Sequence, residues 1–349
     1  MSNISTALAR TLVLGLAVLA TQCGPARSPR GEGGPAQSNT CPSNRLLHGG
    51  TTLRMPDGVS VWYKLQGREN APVLAYLHGG PGYNSYAFEQ SAGKLLEQSF
   101  RVLYIDQRGC GRSVFEGADS AYGMRHTVDD IDRIRTAIGV QKVAIIGHSF
   151  GGIVAAEYAH RFPDHVTRVV FVDTTPYVER ALTQQIAFVD QIAAKAFAGN
   201  ADEIHSLATR SGSAVARLRQ IYALAGRKAL QQRMHYASSD KQAEMEALDD
   251  ASQMMGCNPS HAVAVLESEG YLSDTPPGIA MPLDIPALLI AGKESHVIGR
   301  ENLEAAAKVW RAELVSVGAA GHFVYFEQPL AFAEIVTAWL HGMPVKPRD

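Results

Sequence analysis

One serine in this chain is placed to act as a nucleophile. Residues Lys142 to Gly152 read Lys-Val-Ala-Ile-Ile-Gly-His-Ser-Phe-Gly-Gly. The apolar run Val143 to Ile146 has the character of a buried strand that breaks at Gly147, and Gly151-Gly152 open a helix-like run from Ile153 to Arg161. Gly147-His148-Ser149-Phe150-Gly151 is therefore a G-x-S-x-G pattern in strand-turn-helix context, a nucleophile elbow. The turn is too tight for neighbouring side chains, which is why glycines flank it, and it lifts Ser149 above the sheet. A serine hydroxyl is a poor nucleophile at neutral pH. It needs a base within hydrogen-bond reach and a carboxylate that holds the base in the right tautomer, and the chemistry such a group performs is acyl transfer.

The elements that must position this serine follow the same alternation along the chain. Thr51 to Met55 and Val59 to Leu65 are β-rich and flank the turn Pro56-Asp57-Gly58. Strands are expected at Pro72 to Leu77, Arg101 to Ile105, Arg168 to Val172, Ile285 to Ala291 and Glu313 to Val317. Thr127 with Asp130 forms a capping box for a helix reaching Ile138; further helices are expected after the elbow, over Glu301 to Trp310 and over Pro329 to Leu340. Strands alternating with helices predict an α/β fold: a mostly parallel central sheet with helices on both faces. From about Glu179 the apolar residues Leu182, Ile186, Val189 and Ala193 recur at helical spacing, and Pro276-Pro277 and Pro282 mark the return to the strand-helix pattern. The organisation expected is a core over residues 46–178, an inserted helical cap over 179–280, and the rest of the core over 281–349.

At 349 residues, 46% hydrophobic and 19% charged, the chain can bury a large core. A net charge of -2 gives no basic field for nucleic acid, so a small-molecule or short-peptide substrate is the expected partner. No Cys/His grouping has zinc spacing and no Gly-rich loop has the phosphate-binding form, so neither a metal nor a cofactor is expected. Residues 1–23 have the form of a secretory signal, Arg10 followed by an apolar run too short to span a bilayer. Leu19-Ala20-Thr21-Gln22-Cys23 resembles a bacterial lipoprotein signal with Cys23 as the lipidated residue; Gln22 departs from the small residue normal there, so plain export, periplasmic or extracellular, is preferred. Residues 24–45 are expected to form a flexible linker; if the chain is exported, Cys41 and Cys257 are the natural disulfide pair, a free buried thiol at either being the alternative.

Two further motifs give the chain a family likeness. His78-Gly79-Gly80-Pro81-Gly82 and Asp106-Gln107-Arg108-Gly109-Cys110-Gly111-Arg112-Ser113, taken with the elbow and Gly321-His322, resemble the α/β-hydrolase superfamily and within it the proline iminopeptidase-like serine peptidases. The resemblance runs from about Leu46 to His341. At the elbow that subfamily commonly has Gly-Gly-Ser-Trp-Gly, whereas His148 and Phe150 stand here; His148 is usual among esterases and C–C hydrolases.

The resemblance implies an α/β-hydrolase fold, with His322 as the base and the N–H groups of Gly80 and Phe150 as the oxyanion hole. Pro81 has no N–H to give. His78 and Asp106 are read as scaffold at strand ends. For the acid, the family usually has Gly-x-x-Asp after the penultimate strand, and here Gly292-Lys293-Glu294-Ser295 puts serine in that place. Two carboxylates could compensate. Asp173, at the end of the strand after the elbow unit, is preferred, and Glu294, one residue early, is the alternative, disfavoured because a one-residue slip turns a side chain to the other face. The activity expected is that of an exported serine hydrolase with an acyl-enzyme, a proline iminopeptidase-like aminopeptidase. An esterase or C–C bond hydrolase using the same residues is the alternative, and a non-catalytic binding protein of the same fold is a third reading. An iminopeptidase would need cap carboxylates for the substrate amine, and Glu244, Glu246, Glu267 and Glu269 are available.

Overall fold

The computed structural model describes residues 49–113, 122–252, 254, 269–271, 273 and 278–348. The expected leader, the linker, and Cys23, Cys41 and Cys257 lie outside the described residues. Eight strands form one sheet: β1 (Thr51–Arg54), β2 (Ser60–Gly67), β3 (Val73–Leu77), β4 (Arg101–Asp106), β5 (Val143–His148), β6 (Val166–Val172), β7 (Ala287–Gly292) and β8 (Ala312–Val317). Their order is β1-β2-β4-β3-β5-β6-β7-β8, antiparallel at β1-β2 and β2-β4 and parallel beyond. The central strands are mostly apolar because both faces are covered; Thr167 and Arg168 near the start of β6 are exceptions. In β3, for example, Val73, Ala75 and Leu77 join one core cluster while Leu74 and Tyr76 join the other.

Helix α1 (Met124–Ala137) precedes β5, and α2 (Phe150–Arg161) follows it. The start of α1 differs from the capping-box expectation. Glu269, far along the chain, accepts the Met124 N–H at 2.9 Å, and the helix begins a turn early. Asp130 meanwhile turns to Arg108, whose Nη2 and Nε approach it at 2.6 and 2.7 Å. A distant side chain can satisfy a first-turn donor as well as a local one, and sequence spacing does not reveal it.

Between β6 and β7 the described residues hold five α-helices: α3 (Val178–Ala196), α4 (Ala201–Thr209), α5 (Ala214–Ala225), α6 (Arg227–His235) and α7 (Ser239–Ser252). Leu182, Ile186 and Val189 of α3 pack with Leu218, Ile221 and Leu230 in a separate apolar cluster, so this cap has a small core of its own. Helix α8 (Arg300–Trp310) leads to β8, followed by α9 (Val324–Glu327) and α10 (Pro329–Leu340). Among the described residues no helix is long and apolar enough to cross a membrane.

Candidate active site

Ser149 joins β5 to α2 with φ 52° and ψ -122°, backbone that a non-glycine residue holds at a cost of about 1–3 kcal/mol. The surroundings over-determine it. The Ser149 N–H donates to Val172 O at 2.9 Å, and Thr174 Oγ1 donates to Ser149 O at 2.6 Å, so the end of β6 grips the turn from both sides. A Cβ on Gly151 would overlap the carbonyl oxygen of Leu77, which is the steric reason for glycine there.

His322 sits in the loop between β8 and α9. Its N–H donates to His235 O at 2.7 Å, and its own carbonyl accepts from His148 Nε2 at 3.0 Å, which puts the His148 proton on Nε2. The preceding Gly321 N–H is held by Glu327 Oε1 at 2.8 Å. The His322 Nδ1–H donates to Asp173 Oδ2 in a short hydrogen bond. Asp173 follows β6 in the left-handed region, at φ 42°, another strained non-glycine position. Its Oδ2 also accepts from Ser295 Oγ at 2.5 Å, while Oδ1 is buried without a partner. Glu294 is engaged elsewhere. Its two oxygens accept the N–H groups of Ala319 and Ala320 at 3.3 and 2.9 Å, bracing the loop that carries His322 from below.

Burial acts on both members of the imidazole-carboxylate pair, pushing the Asp173 carboxyl up and the His322 imidazole down. An ionised Asp173 beside a neutral His322 leaves one net charge in a dry site, whereas a proton taken up by the imidazole makes the pair neutral overall. Burial by itself weakens His322 as a base, and an ionised Asp173 on its Nδ1 side is the group that offsets this when the ring takes a proton.

Ser149 and His322 line one cavity with two lobes. One is apolar, walled by Ile153, Val178, Leu182, Val297 and Ile298; the other is bounded by Gly79, Tyr83, Gln231, Tyr236 and Phe323. Gly80 borders both at φ 119°, a value glycine tolerates, and Phe150 opens α2. The N–H of a first-turn residue has no acceptor within its helix, so Phe150 carries a donor suited to an anion. Among the described residues no Asp, Glu, Lys or Arg lines either lobe. Of the cap glutamates, Glu244 pairs with Lys241 at 2.7 Å, Glu246 pairs with Lys228 at 2.5 Å and Glu269 caps α1; Glu267 lies outside the described residues. No group of three or more His, Cys, Asp or Glu among the described residues is arranged to hold a metal ion.

His78 and Asp106 stand away from this chemistry. His78 Nε2 accepts the Gln107 N–H at 2.9 Å and its Nδ1–H donates to Gly79 O at 2.8 Å, tying two loops together. Two residues at the site had no positive signal in the sequence. Ser295 registered only as a missing acid, and His235 lies in a cap helix with no motif around it.

A family profile described as the alpha/beta hydrolase fold matches residues 72–329. Over 122 residues the chain is 36% identical to a proline iminopeptidase, PfmaB, of Pestalotiopsis fici, covering 34% of this chain and 42% of that protein. Over 123 residues it is 37% identical to a bifunctional esterase/perhydrolase of Acinetobacter calcoaceticus, covering 34% of this chain and 43% of that one. The chain thus spans less than half the length of these curated relatives. Among solved structures it superposes on a proline iminopeptidase-related protein from Thermus thermophilus with a TM-score of 0.67 at 24% identity, over 84% of this chain and 98% of that one.

Proposed function

The chain belongs to the alpha/beta hydrolase fold family, and from that premise we propose that it is a serine hydrolase working through an acyl-enzyme on small, uncharged esters or amides. One observation carries this reading: an imidazole held by a buried aspartate shares a cavity with a serine on a strained elbow. In the proposed cycle Ser149 attacks the acyl carbon while His322 takes the hydroxyl proton, and Asp173 holds the imidazole and offsets its charge. The N–H groups of Gly80 and Phe150 receive the oxyanion. His322 then protonates the leaving group, and water repeats the sequence to release the acid.

The uncharged lining of both lobes supports a neutral substrate. The second reading, an iminopeptidase-like aminopeptidase, draws on the proline iminopeptidase relative; its substrate amine would need a carboxylate, for which Glu267, outside the described residues, is the candidate. Fluorophosphonate labelling should modify Ser149 and be abolished in Ser149→Ala. A short-chain nitrophenyl ester should be cleaved with a higher kcat/KM than proline 4-nitroanilide; the opposite ranking moves the assignment to the peptidase. Export rests on residues 1–23, and mass spectrometry of the mature N-terminus from a secreting host tests it.

A further inference from the structure

The two lobes of the cavity share four residues among those described: Gly80, Ser149, His322 and His235. The first three are the oxyanion donor, nucleophile and base of the reading above, on which the present inference rests. The fourth comes from the cap, at the end of α6, and its place is tightly fixed. His296 N–H donates to Met234 O at 2.9 Å, His322 N–H to His235 O at 2.7 Å, and Ala237 N–H to Glu327 Oε2 at 2.7 Å, while the other oxygen of Glu327 holds Gly321. Residues 234–237 are thereby stitched to the loops that carry His322 and Ser295. The His235 ring stands edge-on to His322, with centroids 5.5 Å apart and planes at 85°.

This ring is an odd thing to bury. An imidazole must present one N–H and one lone pair, and each is costly to leave unmatched away from water. His235 is 4% exposed; its Nδ1 is shut off from solvent beside the Gln231 main chain, and its Nε2 bonds no described residue while the ring lines both lobes. Burial first, then the neighbouring His322, holds it neutral, well below the usual histidine range at about 3, against an opposing hydrogen bond to the Gln231 main chain. Buried polar groups in native proteins are nearly always matched, so with Nδ1 turned to the main chain the Nε2 lone pair, clamped against a reaction centre, is most simply matched by substrate.

We propose that His235 is a specificity-determining residue: its imidazole hydrogen-bonds an uncharged polar atom of the substrate next to the scissile bond. The substrate class is then a two-part ester or amide, with a short alkyl portion in the apolar lobe and a hydroxyl, carbonyl or amide close to the reacting carbonyl.

The test compares two pairs of esters by pH-stat in the full chain. Propyl butanoate and 2,3-dihydroxypropyl butanoate differ on the leaving side; ethyl butanoate and ethyl 3-hydroxybutanoate differ on the acyl side. His235→Phe keeps the ring and removes its polar atoms, and His235→Gln keeps polar atoms. For at least one pair, His235→Phe should lower kcat/KM for the hydroxylated ester about tenfold, mainly through KM, and change the plain ester less than about threefold, with His235→Gln in between. Fluorophosphonate labelling of Ser149 is measured alongside. His235→Phe labelling at the wild-type rate with lost hydroxyl discrimination supports the proposal. Equal losses on both esters of both pairs, no loss on any, or a variant that no longer labels overturn it. Wild type that labels but cleaves none of the four esters overturns the substrate class and leaves Ser149 as nucleophile; wild type that does not label removes the acyl-enzyme reading itself.

Discussion

Asp106 and Asp173 are both fully buried aspartates at the ends of parallel strands of one sheet, and their surroundings are opposite. Asp106 Oδ1 accepts from Ser85 N and Ser85 Oγ at 2.8 and 2.7 Å, and Oδ2 from the Arg112 N and Nε at 2.8 and 2.7 Å. Arg112 lies 3.3 Å over the Trp62 ring and reaches Glu89 at 3.0 Å, and Glu89 in turn holds Lys64 at 2.7 Å. Burial alone would raise Asp106, but Arg112 overrides it and holds the carboxyl down at about 2. Among the described residues Asp173 has one hydroxyl and one imidazole donor on one oxygen, none on the other and no arginine or lysine bonded to it, and its carboxyl is raised by burial. A buried charge that is fully matched can do nothing else, and it serves as scaffold. One that is under-matched is poised to respond to a proton arriving nearby, at some expense in stability.

The largest effect expected from this contrast is on turnover. Asp173→Asn should lower kcat on an activated ester by about 10⁴, because the imidazole loses the partner that sets its tautomer. Glu294→Gln should stay within about threefold of wild type, since its carboxylate serves the Ala319 and Ala320 amides. A reversed ranking would make Glu294 the acid and undo the comparison. Arg112→Met should act the other way round. Urea unfolding should show a loss of about 3–5 kcal/mol from stranding Asp106 and Glu89, while the folded fraction keeps its kcat.

Smaller changes sharpen the picture. Ser295→Ala removes one of two donors from Asp173 Oδ2, and kcat should fall about ten- to a hundredfold with stability little altered, as a hydrogen bond to a charged group is worth about 1.5–3 kcal/mol. Asp249, on α7, is a second under-matched carboxylate. It accepts from Tyr83 Oη at 2.6 Å, its Oδ2 has no partner among the described residues, and burial pushes it up to about 7 from the usual 3.8. The folded chain thus keeps a proton that the unfolded chain has lost across that window. Stability attributable to Asp249 should therefore fall as pH rises from about 4 to 7 and level off above. Urea melts at pH 5 and pH 8 should show Asp249→Asn reducing that fall by ~1 kcal/mol or more; an unchanged pH dependence would remove Asp249 from the under-matched class.

How far the site could be read from the chain follows from how local each part is. The elbow was legible because strand, turn and helix are contiguous and the steric demand at Gly151 acts within a few residues and one neighbouring strand. The parallel sheet was legible in outline because both its faces are buried, leaving continuous apolar runs. The start of α1 was misjudged because the carboxylate meeting its first N–H, Glu269, lies 145 residues away.

What the amino-acid order determined by itself was the presence of a strained serine, a parallel sheet to hold it and a helical insertion above it, since each depends on side-chain periodicity and backbone sterics over short spans. Which carboxylate meets His322, what Ser295 and Glu294 do instead, and that His235 stands at the junction of two lobes were decided only by the folded chain. Those pairings join residues as far apart as Asp173 and His322, 149 positions along the chain. They depend on differences of an ångström in where loops from separate strands are braced, and no local pattern encodes such differences.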